Sequence, residues 1–209
     1  DRCSLVAAIT LQQRLSRDFA TRFRELEARR SSVLNWRDWT ELVVELAEWE
    51  VRLGHAEEPG LQEALRTLQV SLRQDFARFI EQRYAGWLAG SRADRPPLSV
   101  DIVPEFVEPA LRQHGKALLV VVDCLRLDQW EAIRPLINTR FDVETAYYFS
   151  IVPTATPFAR NAIFSGLLPR ELASRYPGWW RDQDETSLNA HEHELLARQL
   201  EDRYGRPVP

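Results

Sequence analysis

Methionine is missing from this sequence altogether, even at position 1, where the chain opens Asp1-Arg2-Cys3. A complete translation product starts with Met, so the reading is an internal piece of a longer protein. Lysine is nearly missing too. Lys116 is the only one, and arginine supplies the other basic groups, a habit of genome composition rather than of function. Cysteine is scarce: Cys3 and Cys124 lie far apart, which excludes a disulfide framework and points to a reducing cytoplasm. No stretch approaches the ~20 apolar residues of a membrane span, and no signal peptide opens the chain. A formal net charge of −4 gives no global attraction to nucleic acid or to an anionic membrane. There is no phosphate-cradling glycine loop, zinc-finger cysteine pattern, internal repeat or low-complexity tract. What remains is 209 residues of ordinary globular composition, 44% hydrophobic, enough for one large domain or two small ones.

Two regimes follow each other along the chain. Up to about Ala89 the apolar residues recur at helical spacing. Leu11, Leu15, Phe19, Phe23 and Leu26 form one stripe. Asn35 or Asp38 is placed to cap a second helix, with Trp39, Leu42, Leu46, Trp49 and Leu53 on its buried face and Gly54 as a left-handed stop. After the turn Glu57-Glu58-Pro59-Gly60, a third stripe runs Leu61, Leu65, Leu68, Leu72, Phe76, Phe79, Ile80, Tyr84 and Trp87. Three amphipathic helices with short connections predict a helical bundle over residues 1–95. Trp36, Trp39, Trp49 and Trp87 then read as core fillers rather than as an aromatic face for a partner.

The composition shifts at Gly90-Ser91-Arg92-Ala93-Asp94-Arg95-Pro96-Pro97, whose paired prolines resist both helix and sheet interior. Residues 96–115 read as a connecting segment in which Pro104 and Pro109 frame a helical turn. From residue 116 the pattern is α/β. Ala117 to Val122 is an unbroken apolar run, the mark of a parallel strand buried on both faces. Asp123 falls where that strand ends, and open α/β sheets bind ligands beyond the carboxyl ends of their strands. A helix from Leu127 to Ile133, interrupted by Pro135, and an extended stretch from Val143 to Val152 complete the pattern before a second turn at Pro153.

In Pro153-Thr154-Ala155-Thr156-Pro157-Phe158-Ala159-Arg160-Asn161, proline suits the first helical position, which places Thr156 at the N-cap; Gly166 and Pro169 supply the stop. Free N–H groups and the positive end of the helix dipole would converge beside the Thr156 hydroxyl, a ready place for a phosphate. Taken locally, Thr156 reads as a plain helix cap worth about 1 kcal/mol.

Two such strand ends together carry a resemblance. Asp123-Cys124-Leu125-Arg126-Leu127-Asp128 resembles the Asp-Gly-x-Arg-x-Asp segment of nucleotide pyrophosphatase/phosphodiesterases, and Pro153 to Thr156 with Phe158, Ser165-Gly166-Leu167 and Pro169 resembles their nucleophile helix. The chain is more similar still to PorX-type response regulators, in which a receiver domain is followed by a helical segment and a PglZ domain of the alkaline phosphatase superfamily. Val122-Asp123, Asp128-Gln129-Trp130, Tyr148 to Ile151, Ala159 to Leu167 and Arg175-Tyr176-Pro177 carry that likeness.

The resemblance implies that residues 116–209 are the N-terminal part of a PglZ domain with a parallel sheet. It implies two divalent metal ions, zinc by family habit, with Asp123 as a ligand and Thr156 as both ligand and nucleophile. A phosphodiester in a short linear or cyclic oligonucleotide is the implied substrate, and Arg160 and Asn161 are the candidate phosphate contacts. The pyrophosphatase relatives carry Asn where this chain has Ala159, so their contact to the non-bridging oxygen does not carry over. The later aspartate and histidine ligands of the superfamily are not found after Gly166, so the piece by itself is expected to be inactive. The implied partners are an upstream receiver domain and its histidine kinase, with a sigma factor or a type IX secretion component if the protein works as a non-catalytic adaptor, and a second copy if the helices form a homodimer.

Other groups read more blandly. Arg126 and Asp128 make a salt-bridged helix start, and Cys124, beside a carboxylate that disfavours its thiolate, reads as a small buried residue. Asn189 with Glu192 is a capping pair opening a helix to Leu200, which leaves His191 and His193 on the surface. Asp182, Asp184 and Glu185 form a solvated acidic loop, and His55 and His114 sit beside glycines with no metal spacing.

Overall fold

A computed structural model describes residues 2–32, 34–54, 56, 58–180 and 189–205, with the backbone alone for residues 2–11. His55, the acidic loop of Asp182, Asp184 and Glu185, and the side chains of Cys3 and Leu11 lie outside the described residues. The chain divides into two compact units: Asp1–Arg95 with Cys124–Thr145, and Pro96–Asp123 with Ala146–Pro209. The division is not sequential, because residues 124–145 lie with the first unit.

The first unit is built on α1 (Arg2–Arg30), α2 (Trp36–Gly54) and α3 (Pro59–Ala89). Their stripes meet in one core of Phe19, Leu26, Trp39, Leu42, Leu46, Trp49, Leu53, Leu65, Leu68 and Leu72, with Leu15, Phe23, Phe76 and Phe79 packed against it. Leu26 and Leu42 are wholly buried, each contributing about 1.5–3 kcal/mol over an exposed position. Trp39, Trp49 and Trp87 are buried as well, whereas Trp36 is half-buried beneath the Arg37 guanidinium at 4.1 Å from its ring centre. Asn35 caps α2: its Oδ1 accepts the N–H groups of Arg37 and Asp38, while Asp38 Oδ2 accepts the N–H of Asn35. Gly54 ends α2, but without the left-handed backbone expected of it; the left-handed glycines are Gly115, Gly166 and Gly205.

A fourth helix, α5 (Leu127–Ile137), packs on α2. It runs through Pro135, which the sequence placed as an interruption. Proline removes one N–H and crowds the carbonyl four residues back, and this close to the helix's end only the last turn feels it. The start of α5 is salt-bridged: the Arg126 guanidinium holds both Asp128 oxygens, at 2.9 and 2.5 Å, and keeps that carboxyl below the usual carboxylate range.

In the second unit the expected parallel sheet is not seen. Among the described residues no strand forms; one isolated parallel bridge joins Leu98 to Phe149. Ala117–Val122 was expected to be buried on both faces, yet Leu118, Val120 and Val122 are 88%, 67% and 60% exposed. An apolar run becomes an inner strand only when a neighbouring backbone pairs its N–H and C=O groups, and none of the described residues does so.

The second unit is instead organised by helices: α4 (Glu108–His114), α6 (Thr156–Ser165), α7 (Pro169–Arg175) and α8 (Glu192–Tyr204). The prolines of residues 96–115 frame a wide π turn, Val103–Val107, that leads directly into α4. Ser99, Val103 and Ile151 are fully buried, and the Ile151 N–H donates to Ser99 Oγ at 3.1 Å. Helix α6 packs on α8. Arg160 near the start of α6 meets Glu192 at the start of α8, and Gly166 just past α6 meets Gln199 farther along α8, so the two helices run in the same sense.

Gly166 closes α6 as the sequence expects, with φ +67° and its N–H donating to Ala162 O. A Cβ there would also lie 2.3 Å from Gln199 Nε2. Gly166→Ala combines a left-handed backbone with displacement of a buried amide, and is expected to cost about 2 kcal/mol. A urea unfolding midpoint unchanged from wild type would show that the α6–α8 contact relaxes freely.

Candidate functional site

Helix α6 begins one position earlier than expected: Ala155 has the extended backbone of an N-cap, Thr156 is the first helical residue and Pro157 the second. Proline's ring clashes mainly with the turn before it, so the second position serves as well as the first. No side chain caps this helix start. The Thr156 hydroxyl turns instead to Asp123, donating to Oδ2 at 3.3 Å. The two residues are 33 positions apart.

Arg160 is the third group present. One turn into α6, it places Nη1 3.7 Å from Asp123 Oδ2 and Nη2 2.5 Å from Glu192 Oε2. Asp123 is 47% exposed, Arg160 31% and Glu192 17%. The structure therefore brings Asp123, Thr156 and Arg160 to one open place. Asn161 does not join them. It is buried, and its Nδ2 donates to Pro157 O at 2.8 Å on its own helix, because its side chain lies on the face of α6 turned into the fold.

A carboxylate and a hydroxyl within 3.3 Å of each other suit two ligands of one hard or borderline cation. They do not complete a metal site. Among the described residues no group of three or more His, Cys, Asp or Glu side chains could hold a metal ion. The guanidinium beside Asp123 adds positive charge, which favours an anion such as a phosphoryl group as the neighbour of any bound cation.

Sequence reasoning missed Glu192 in this place. The Asn189 and Glu192 side chains do bond, Nδ2 donating to Oε1 at 2.8 Å, but they are not the expected capping pair, since His191 is the N-cap of α8 and no side chain caps it; nothing local shows that the other Glu192 oxygen reaches Arg160. His193 is exposed as expected, whereas His191 is half-buried and stacks on Trp179 at 5.1 Å between ring centres.

Cys124 also departs from expectation. It is exposed rather than buried, and its φ is +59°. A left-handed backbone favours glycine, and the similar pyrophosphatase segment has glycine at this position. Cys124→Gly is expected to raise stability by roughly 0.5–1 kcal/mol, since relief of the left-handed strain outweighs glycine's greater freedom in the unfolded chain. Thermal melting that moves downward instead would show that the thiol makes a contact worth more than the strain.

Two family models match the chain. Residues 10–88 match the model of the PorX response regulator linker domain, and residues 102–207 match the BREX system PglZ alkaline phosphatase-like domain. No curated protein sequence matches the chain. The first match covers the three-helix core and the second contains Asp123, Thr156 and Arg160. The chain belongs to the PorX-type family, in which a response-regulator linker domain is joined to a PglZ alkaline phosphatase-like domain.

Proposed function

We propose that this chain contributes to a metal-dependent phosphodiesterase that is the output of a two-component response regulator, with Thr156 as its nucleophile. The observation that carries the reading is the meeting of the Thr156 hydroxyl with the Asp123 carboxylate at the open start of α6. A hydroxyl is a poor nucleophile at neutral pH, and two divalent cations, zinc by family habit, would supply the charge that stabilises its alkoxide. Asp123 and Thr156 would be this chain's ligands to them. The remaining ligands would come from aspartates and histidines in further sequence of the full-length protein.

The chain's own residues then have distinct roles. Thr156 Oγ attacks phosphorus in line with the leaving oxygen, its proton having passed to solvent. The P–O bond to the leaving group breaks, the leaving oxygen takes up a proton from solvent, and the enzyme carries a threonyl phosphodiester that keeps the substrate's other ester group until water releases it as a phosphomonoester. Arg160 binds a non-bridging phosphoryl oxygen, as a guanidinium one turn from a helix start can. Asn161 is kept as a support for that turn rather than as a contact. Short linear or cyclic oligonucleotides are the substrate class, a receiver domain and its histidine kinase the upstream control, and the cytoplasm the setting. No helix among the described residues is long and apolar enough to cross a membrane.

The test is hydrolysis of bis(p-nitrophenyl) phosphate and of short oligonucleotides by the full-length protein, with and without a chelator and with Thr156→Ala. Activity that survives both chelation and the substitution would end this reading.

A further inference from the structure

Arg160 reaches its place on a long, rotamer-rich side chain, which needs an anchor to serve as a fixed donor. That anchor is Glu192. Arg160 Nη2 donates to Glu192 Oε2 at 2.5 Å, a charge-assisted hydrogen bond, whereas Nη1 makes the longer ion pair with Asp123 Oδ2 at 3.7 Å. Glu192 is fixed in its turn. It lies in the first turn of α8, where the helix dipole favours a negative charge, and its other oxygen accepts the Asn189 amide at 2.8 Å. Its side chain is only 17% exposed. The guanidinium is a rigid planar fork, so with Nη2 held on α8 its Nη1 hand is turned toward the carboxylate that accepts the Thr156 hydroxyl. Each Nη carries two hydrogens, so a phosphoryl oxygen and Asp123 can share that hand.

We propose that Glu192 is a positioning residue that acts through Arg160: its bond to Nη2 presents the other hand of the guanidinium to a phosphoryl oxygen at the start of α6. This rests on the reading of Arg160 as the phosphate contact. The sign of the effect separates positioning from attraction. Glu192 is an acid beside an anion site, so by charge alone it repels a phosphate, and removing it would tighten phosphate binding. As an anchor it does the opposite. It holds the guanidinium in one orientation before the anion arrives, so binding does not have to freeze a mobile side chain. Removing the anchor then weakens binding, although the site becomes more positive.

The proposal is tested by inorganic phosphate titrations, read by calorimetry, on the full-length protein as wild type, Glu192→Ala, Arg160→Gln and the double variant. Glu192→Ala is expected to weaken phosphate binding about tenfold, and to leave it unchanged or slightly tighter once Arg160 is Gln. Tighter binding in Glu192→Ala alone would show that charge outweighs anchoring and would overturn the proposal. So would an unchanged affinity, equal losses in both backgrounds, or an affinity indifferent to Arg160.

Hydrolysis of bis(p-nitrophenyl) phosphate carries the same comparison to turnover: kcat/KM is expected to fall about tenfold in Glu192→Ala, and only where Arg160 is present. Glu192→Gln keeps the shape of Glu and one acceptor oxygen, so its loss is expected to be smaller than that of Glu192→Ala but of the same sign; it gives the same reading should Glu192→Ala unfold. A gain in Glu192→Gln overturns the proposal as well. Hydrolysis that survives both Thr156→Ala and chelation ends the phosphodiesterase reading, whereas equal losses in both backgrounds, in a protein that still needs Thr156, end this proposal alone.

Discussion

On the proposed reading, Thr156→Ala is expected to lower phosphodiester hydrolysis by the full-length protein by at least about a thousandfold, while its unfolding is expected to change little. The two halves of that expectation come from the same geometry. Thr156 is the first residue of α6, its hydroxyl caps no backbone group, and its bond is to a half-exposed carboxylate at 3.3 Å. Losing such a bond costs on the order of 1 kcal/mol. A nucleophile contributes several times that to the transition state, so activity and stability separate cleanly. A helix-capping role predicts the reverse, a stability loss with activity retained. Thr156→Ser keeps the hydroxyl and is expected to keep measurable turnover, which distinguishes loss of the nucleophile from loss of the methyl group. Phosphate release by the alanine variant at the wild-type rate would remove Thr156 from the chemistry.

Arg203→Ala is expected to destabilise the second unit by about 3 kcal/mol. Glu108 is 2% exposed, at the start of α4, and is held across 95 positions of sequence by Arg203 near the end of α8. The guanidinium engages both carboxylate oxygens; Arg112, 3.2 Å away but 70% exposed, is the only other ion-pair partner among the described residues. Removing Arg203 leaves a buried charge on a solvent-facing partner that can compensate only part of its lost hydration. The sign of the control matters more than its size. Glu108→Gln is expected to cost less than Arg203→Ala, and Arg203→Ala/Glu108→Gln together are expected to cost less than the sum, because the penalty lies in the stranded charge. Additive losses in urea unfolding would mean that Arg203 acts through its packed methylenes instead.

Both expectations depend on pairs remote in sequence, and that is where reading the chain from its residues stops. Within the first unit, periodicity reaches far: Phe19, Leu26, Leu42 and Leu68 are where their stripes place them, and Asn35 caps α2 because a short oxygen acceptor before a helix has few other uses. Gly166 and the start of α6 are legible to within a residue for the same reason. Helix ends are local events.

The apolar run Ala117–Val122 shows the limit. Its pattern specifies a strand's chemistry but not its neighbours, and among the described residues it has none. Asn161 shows it again: position on a helix beside a candidate nucleophile says nothing about which face that helix buries until α8 is packed against it.

Local order therefore determined the helices, their caps and the placing of Asp123 and Thr156 at the ends of their segments, since each depends on residues within a turn or two of one another. The tertiary structure alone decided that the carboxylate meets the hydroxyl, that Glu192 takes one hand of Arg160, and that Glu108 is buried beneath Arg203. Those are contacts between charges and dipoles separated by tens of residues, and their energy exists only once packing has brought the elements together.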